Sequence, residues 1–373
     1  MRFWAIACAM LLTTPAWTTP TWAQPVPVGA IEILSGPAAA YGTAITAGLQ
    51  LALDRVNVAG VLGGRKIVLT VQDSAGVKDQ AINAARRLIG RDHVVAIIGP
   101  TLSNEMFAVG PVTNGRGIPT IGTSTTAAGI TVIGPNIFRT SLPETDVVPV
   151  TLAVAKARGV KTIALLYAND DAFSKSGFEA MQAAAQKAGL RIVATESFGS
   201  RDTDFSAQLT KIKALAPDAV GISALVEPIS GVLLQARQLG FDKRTLFIGG
   251  NGANSPKLGE IAGAAADGLI VGSPWAVAKP DAANQAFVAA FTAKTGHPPD
   301  QFAAQAYDTM FILAAAIDRA GKAEPAAIAA ALMQTKYDGV TGPFTFNAAR
   351  DPASAAGVVV LQMRGGQFHI LPR

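Results

Sequence analysis

The feature that most constrains the fold is a pair of short apolar runs in the first third of the chain, each ending in glycine. Val94–Ile98 and Ile118–Ile121 have the length and the unbroken apolar character of buried parallel strands. Such strands need helices over both faces of their sheet. The pair therefore predicts an α/β fold built on an open parallel sheet.

Polar residues follow both runs and predict an anion-binding pocket. Thr101, Ser103 and Asn104 come after the first run, and Thr123–Thr126 comes after the second. Because neighbouring parallel strands end at the same edge of a sheet, the two groups can face each other. A helix that begins near Ser103 would add free backbone N–H groups, which favour a carboxylate. A helix cap and a polar turn are the structural alternatives for each group taken alone.

Strand and helix patterns alternate along the chain. A strand at Val28–Leu34 precedes a glycine-containing loop and an amphipathic helix that ends near Gly60. The alternation restarts after Leu142 and continues to Gly272, and helical patterns dominate the segment that follows. The expected fold class is α/β, with two doubly wound parallel-sheet lobes joined by a three-segment hinge.

The restart also sets the expected domain boundaries. We expect a signal peptide over residues 1–23, a first lobe made of residues 24–141 and 274–345, and a second lobe made of residues 142–273 and 346–373. Three crossings between the lobes make a hinge. The cleft between two hinged lobes is a preferred place for a small ligand.

The N-terminus has the pattern of a secretory signal. Arg2 precedes the apolar run Phe3–Leu12, and small residues lead to Ala23. The run is too short for a membrane span, which takes about 20 residues. Cleavage after Ala23 would remove Cys8, the only cysteine, so the exported chain would fold without a disulfide. We therefore expect a periplasmic protein.

Composition and motifs exclude several classes of protein. The chain is 50% hydrophobic and 15% charged, which excludes a disordered protein. The net charge of +5 is spread over short pairs such as Arg86-Arg87, so no nucleic-acid surface is expected. His93, His297 and His369 lie far apart, and no nucleophile elbow, P-loop or dinucleotide-binding glycine motif occurs. We expect no catalytic activity, no metal and no cofactor.

Short motifs along the chain resemble those of a known family. They are Ser35-Gly36-Pro37, Tyr41-Gly42, Gly63-Gly64, Ile98-Gly99-Pro100 with Ser103, Phe138-Arg139, Gln235-Ala236-Arg237 and Ala306-Tyr307-Asp308. Their order and spacing resemble the type I periplasmic binding proteins of the branched-chain amino acid group, which deliver ligands to ABC importers. The resemblance implies a small-molecule ligand between closing lobes and an ABC permease of the inner membrane as partner. We expect a monomer.

The resemblance also implies roles for residues of the cleft. Ser103 (hydroxyl and backbone), Ser124 (backbone) and Thr126 (hydroxyl) would hold the ligand carboxylate, and Asn104 lies beside them in the sequence. The candidate walls are Tyr41, Phe173, Leu225 or Val226, Trp275 and Phe302. Ordinary core packing is the alternative for the tyrosine, the tryptophan and the last phenylalanine.

Two walls depart from the family. Phe173 stands where tyrosine is common, which keeps the ring and loses the hydroxyl. Leu225 or Val226 stands where another aromatic residue is frequent. The sequence therefore predicts a reshaped pocket.

Asn251 is the most informative departure. Amino acid binders of the family usually carry an acid at this position, which pairs with the ligand ammonium. Burying an ammonium without a counter-charge costs several kcal/mol. The sequence therefore favours a small carboxylate that lacks an amine and has an apolar or aromatic body.

Two alternatives stay open. The missing charge can come from a neighbouring acid, in which case the ligand is a branched-chain or other hydrophobic amino acid; the candidates are Glu105, Asp170, Asp171 and Glu227. The same fold also serves in ligand sensors, including amide- or urea-responsive binding proteins. A receptor would need a transmembrane helix, and no stretch of the sequence has that pattern.

Overall fold

The computed structural model describes residues 24–242 and 244–372, so the expected signal peptide lies outside the described residues. The strands are β1 (Val26–Glu32), β2 (Ile67–Asp73), β3 (Ile97–Ile98), β4 (Thr120–Gly122), β5 (Ile137–Arg139), β6 (Thr162–Ala168), β7 (Arg191–Phe198), β8 (Ala219–Ser223), β9 (Leu246–Gly249), β10 (Ile270–Ser273), β11 (Tyr337–Gly339), β12 (Gly342–Phe344), β13 (Val359–Arg364) and β14 (Gln367–Ile370). The helices are α1 (Ala39–Ala59), α2 (Lys78–Gly90), α3 (Ser103–Gly115), α4 (Glu144–Ala157), α5 (Ala172–Ala188), α6 (Ser206–Ala214), α7 (Val226–Gln238), α8 (Lys257–Ala262), α9 (Ala282–Thr295), α10 (Gln301–Ala320) and α11 (Pro325–Leu332).

Two sheets organise these elements. The first has the strand order β2-β1-β3-β4-β5 and is parallel throughout. The second has the order β14-β13-β10-β9-β8-β6-β7 and is parallel from β7 to β10. The expected fold class, two α/β lobes with parallel sheets, is confirmed.

The second sheet differs from the expectation at one edge, where β13 and β14 are antiparallel. The chain reverses between them at Gly365 and Gly366, which have φ angles of +55° and +78°. Glycine adopts this left-handed backbone without steric cost, and a turn this short can join only antiparallel neighbours. The edge is therefore a hairpin added to a parallel sheet.

The central strands form where the sequence has short apolar runs because those runs are buried on both faces of the sheet. All five residues of β8 are buried, for example. Helix α4 was not expected from the sequence, because Pro143 precedes it and Pro149 lies inside it. Proline is tolerated before the first turn of a helix, but inside a helix it usually signals a break.

The chain passes between the two sheets three times. It does so between β5 and α4, after β10, and again before β13. After the second passage, α10 packs along α1, and the fit at Gly48 is so close that a Cβ atom there would lie 2.2 Å from the carbonyl oxygen of Ala303. We propose that the lobe boundaries lie in these three connections.

The carboxyl ends of the central strands of both sheets point to one cleft. Helix α3 begins there on one side, and α5 and α7 begin there on the other. Ligands of open α/β sheets bind at this edge. None of the helices in the described part of the chain has both the length and the apolar character needed to cross a membrane.

Candidate functional site

A cavity of about 340 Å³, partly open to solvent, lies between the two lobes. Its lining consists of Tyr41, Thr101, Leu102, Ser103, Ser124, Thr126, Phe173, Leu225, Asn251, Gly252 and Phe302. Seven of the ten residues expected to bind ligand are thus brought together, and their role in binding stays a prediction.

Hydroxyl groups and a helix end form the polar side of the cavity. Ser124 Oγ donates to the carbonyl of Thr101 at 2.6 Å, and Ser103 Oγ accepts from the N–H of Ala127 at 3.3 Å. The hydroxyl hydrogen of Ser103 is therefore free to donate to a ligand. The first N–H groups of α3 have no carbonyl partner within the helix, and they carry the positive end of its dipole. This side favours an anion.

Two buried acids lie beneath the polar side. Glu32 accepts a hydrogen bond from Thr101 Oγ1 at 2.6 Å, and Glu105 accepts one from the N–H of Leu102 at 3.1 Å, just before α3 begins. Burial raises the pKa of both carboxyl groups, which favours their neutral forms. The acids therefore support the start of α3 with less repulsion of an anion in the cavity than two ionised groups would exert.

Aromatic rings form the other walls. The rings of Tyr41 and Phe302 meet edge to face with centroids 4.9 Å apart. Phe173 packs over Gly252, where an added Cβ atom would lie 2.9 Å from the ring. The walls suit the flat or branched apolar body of a small ligand.

The hydroxyl of Tyr41 joins the two lobes. It accepts from the N–H of Val226 at 2.8 Å and donates to the carbonyl of Gly252 at 2.7 Å. Val226 thus contributes its backbone to this bridge, and its neighbour Leu225 lines the cavity instead. The ring of Tyr41 faces the cavity while its polar end closes the cleft.

Asn104 and Trp275 lie outside the cavity lining, contrary to expectation. Asn104 bridges the lobes: its Nδ2 donates to Asp171 at 2.8 Å and its Oδ1 accepts from the N–H of Ala172 at 3.0 Å. Trp275 is only 2% exposed, and its indole N–H donates to Asn284 at 2.6 Å. The tryptophan is a core residue beside α9 because a buried indole N–H needs a partner, which α9 supplies.

No charged side chain lines the cavity within the described residues. Glu105 faces Leu102 as described above, and Asp171 caps α5 through the N–H and hydroxyl of Ser174. Asp170 accepts hydrogen bonds from a neighbouring loop, and Glu227 lies in the first turn of α7. None of the four acids considered as a source of counter-charge belongs to the lining.

Glu144 was missed by sequence reasoning. It is 1% exposed, and its Oε1 accepts from Thr126 Oγ1 and from the N–H of Asn251, both at 3.3 Å. Its Oε2 has no partner among the described residues, and burial raises its pKa to about 7. The run Pro143-Glu144 with Asp146, an acidic first turn after proline, is a helix-start signal that would have located it.

Within residues 24–242 and 244–372, no group of three or more His, Cys, Asp or Glu side chains is arranged to hold a metal ion. The cavity lining itself offers hydrogen-bond donors and apolar walls. This arrangement can bind a small anion with an apolar body.

Comparison with known proteins agrees with the fold and the cleft. A family model for periplasmic binding proteins matches residues 25–367. A Leu/Ile/Val-binding protein of Rhizobium johnstonii is 32% identical over 317 residues, which cover 83% of this chain and 84% of that protein. The crystal structure of a leucine-binding protein from Thermotoga maritima has a TM-score of 0.87 and 27% identity, over 93% of this chain and 98% of that one.

A solute-binding protein of an ABC transporter from R. palustris, solved in complex with benzoate, also has this fold. Its TM-score is 0.84 and its identity 24%, over 93% of this chain and 95% of that one. At this identity the likeness shows the fold alone. The resemblance found in the sequence is confirmed, and the chain belongs to the periplasmic binding protein family.

Proposed function

We propose that this chain is the periplasmic receptor of an ABC importer and that it binds a small carboxylate without an amino group. The observation that carries the proposal is the composition of the cavity lining, which offers neutral donors and a helix N-terminus but no charged side chain. An apolar or aromatic body would lie against Tyr41, Phe173 and Phe302. The hydroxyl of Ser103 and the backbone N–H of Ser124 would hold the carboxylate, with Thr126 beside them; the hydroxyl of Thr126 itself donates to Glu144.

The energetic terms favour such a ligand over an amino acid. A hydrogen bond to a charged group contributes about 1.5–3 kcal/mol, and a helix N-terminus adds roughly 0.3–1 kcal/mol for an anion. An ammonium group would have to leave water without an opposing charge in the lining, at a cost of several kcal/mol. The carboxylate end therefore gains in this cavity, whereas an amino group loses.

The bridges already described support a closure of the lobes over the ligand. Tyr41 and Asn104 connect the lobes, and the N–H of Ala128 donates to Ser176 Oγ at 2.8 Å across the same gap. A ligand that touches both lobes stabilises the closed arrangement by its differential affinity. A permease can then distinguish the loaded receptor from the empty one.

The cellular setting completes the proposal. The chain would be exported through the signal peptide expected over residues 1–23 and would act in the periplasm as a monomer. Its partner would be an ABC permease of the inner membrane. It would carry no cofactor and catalyse no reaction.

A branched-chain amino acid is the second candidate ligand, because relatives are named for leucine, isoleucine and valine. The side chains of these amino acids would suit the apolar walls, but their ammonium group would have no charged partner in the lining. A ligand sensor of the same fold is the remaining alternative, and genes for a permease and an ATPase beside this one would support transport.

Calorimetric titration tests the proposal. The protein is unfolded, dialysed and refolded to remove any bound ligand, and is then titrated with benzoate, 4-methylpentanoate and leucine. We expect at least one of the acids to bind more tightly than leucine. Tight binding of leucine with no binding of either acid would refute the proposal.

A further inference from the structure

A buried chain of amides holds Asn251 in one orientation. Gln301, 1% exposed at the start of α10, directs its Nε2 to Asn251 Oδ1 at 2.6 Å and to the carbonyl oxygen of Asn251 at 3.4 Å. The Oε1 of Gln301 accepts from Asn254 Nδ2 at 2.7 Å and from Ser273 Oγ at 3.1 Å. Both ends of the Gln301 amide are thus satisfied.

This network determines which end of the Asn251 amide faces Gln301. A backbone carbonyl can only accept a hydrogen bond, so a reversed Gln301 would turn its own oxygen toward the carbonyl of Asn251. Two acceptors in contact repel, and the reversal would also break the bond from Asn254. Gln301 therefore donates from its NH₂ group, and Oδ1 of Asn251 accepts.

The NH₂ group of Asn251 is left for the cavity. Asn251 belongs to the cavity lining although only 3% of its surface is exposed. Its Nδ2 has no hydrogen-bond partner in the described part of the chain. This atom is also not fully buried, unlike the other partnerless side-chain atoms of the described residues that are enclosed by protein. Because Asn251 is a lining residue, we infer that this NH₂ group faces the cavity. In this position the side chain is a donor only.

The position of Asn251 relative to the carboxylate site follows from Glu144. The N–H of Asn251 and the hydroxyl of Thr126 bond to the same oxygen of Glu144, each at 3.3 Å. Asn251 is therefore a close neighbour of Thr126, which lines the carboxylate side of the cavity. A ligand group that Asn251 contacts would therefore lie close to the carboxylate.

We propose, building on the function inferred above, that Asn251 selects a ligand with an acceptor oxygen on the carbon next to its carboxylate, and that the ligand class is 2-oxo acids with an apolar side chain. A ketone oxygen accepts and has no hydrogen to place, which matches a donor-only amide. A 2-hydroxyl would bring a hydrogen that needs an acceptor, whereas the carbonyl of Gly252 and Oδ1 of Asn251 each already accept a hydrogen bond, from Tyr41 and from Gln301. Gln301 is the positioning residue that keeps the amide in this orientation.

Three ligands with one carbon skeleton test the proposal in the unmodified protein. They are 4-methyl-2-oxopentanoate, 4-methylpentanoate and leucine, titrated by calorimetry. One added hydrogen bond is worth about tenfold in affinity, so we expect the 2-oxo acid to bind roughly ten times more tightly than the unsubstituted acid. Leucine is expected to bind most weakly.

Variants locate the effect. Asn251→Leu removes the donor at similar volume, and Gln301→Leu frees the amide to reverse; in both, the advantage of the 2-oxo acid over the unsubstituted acid is expected to fall to about twofold or less. Asn251→Asp is expected to shift the preference toward leucine. The matched control Asn347→Asp adds the same charge on an exposed loop and should leave the ratio unchanged.

The outcomes separate this inference from the proposed function. Equal binding of the two acids, or an advantage that survives Asn251→Leu, overturns the role of Asn251 and leaves the receptor for amine-free acids intact. Leucine binding more tightly than both acids overturns the proposed function itself. The comparison of ligands needs no variant, so a variant that fails to fold does not remove the test.

Discussion

Removal of the Tyr41 hydroxyl tests, with a single-atom change, whether the lobes close on the ligand. Tyr41→Phe keeps the ring and its contact with Phe302 but removes one oxygen. In the closed arrangement that oxygen is bonded to the N–H of Val226 and the carbonyl of Gly252. When the cleft opens, water can bond to all three groups, so the substitution acts mainly on the closed form.

The size of the effect follows from the number of bonds lost. Each hydrogen bond contributes a net 0.5–1.5 kcal/mol, so the loss of two raises the free energy of the closed form by about 1–3 kcal/mol relative to the open form. Ligand binding includes closure, and this amount corresponds to a rise of roughly 5- to 150-fold in Kd. The enthalpy of binding should become less favourable because fewer bonds form on closure.

Calorimetry on ligand-free protein measures the Kd, and small-angle scattering with and without ligand measures the closure. Tyr337→Phe is the matched control, since the hydroxyl of Tyr337 donates to Asp308 at 3.2 Å within one lobe. We expect this control to lower the melting temperature without changing the Kd. A Tyr41→Phe protein that binds within twofold of the unmodified protein, with the same compaction, would refute the bridging role.

Three further predictions test the fold and the cavity. Burial raises the pKa of Glu144 to about 7 from an ordinary 4.5, so the folded protein keeps this proton at pH values where the unfolded chain has lost it. The free energy of unfolding should therefore fall as pH rises from about 4.5 to about 7. Urea denaturation across this range should show a smaller fall for Glu144→Gln. Gly48→Ala places a methyl group against the carbonyl of Ala303 and should lower the melting temperature by several degrees, whereas Gly90→Ala, with no atom within 4 Å of the added carbon, should not. Ser103→Ala removes a donor to the ligand carboxylate and should raise the Kd for the preferred acid about tenfold or more by calorimetry. The melting temperature of the empty protein should also fall, because the N–H of Ala127 loses the oxygen to which it donates.

Local sequence patterns were sufficient for the sheets and for one side of the cavity. Runs such as Ala219–Ser223 are strands because they are buried on both faces, and that condition leaves a signal in the run itself. The position of Ser103 at the start of α3 follows in the same way, from the glycine that ends the preceding run and the polar residues after it.

Contacts between the lobes, which join residues far apart in the chain, were not visible in the sequence. The bridge from Tyr41 to Gly252 joins residues 211 positions apart, and no local pattern records it. Trp275 lies where the chain passes between the sheets, so its sequence position alone allowed either a place in the cavity wall or a place in the core. The hydrogen bond to Asn284 of α9, which decides for the core, is not visible in the sequence. Glu144 was not identified because α4, the helix that it begins, was not predicted; two prolines, one before the helix and one inside it, hide the helical pattern.

The bridges between the lobes and the contacts to the ligand have different roles in closure. Each bridge exchanges bonds to water for bonds to protein, so each of its hydrogen bonds contributes only about 0.5–1.5 kcal/mol in net terms, and the bridges mainly fix how the lobes meet. A ligand body that buries about 100 Å² of apolar surface contributes roughly 2.5 kcal/mol. In a series of amine-free acids, affinity should therefore follow the apolar area of the body until the cavity is full. The radius of gyration of the closed form should stay constant across that series, and a radius that grows with ligand size would show that the bridges do not define the closed state.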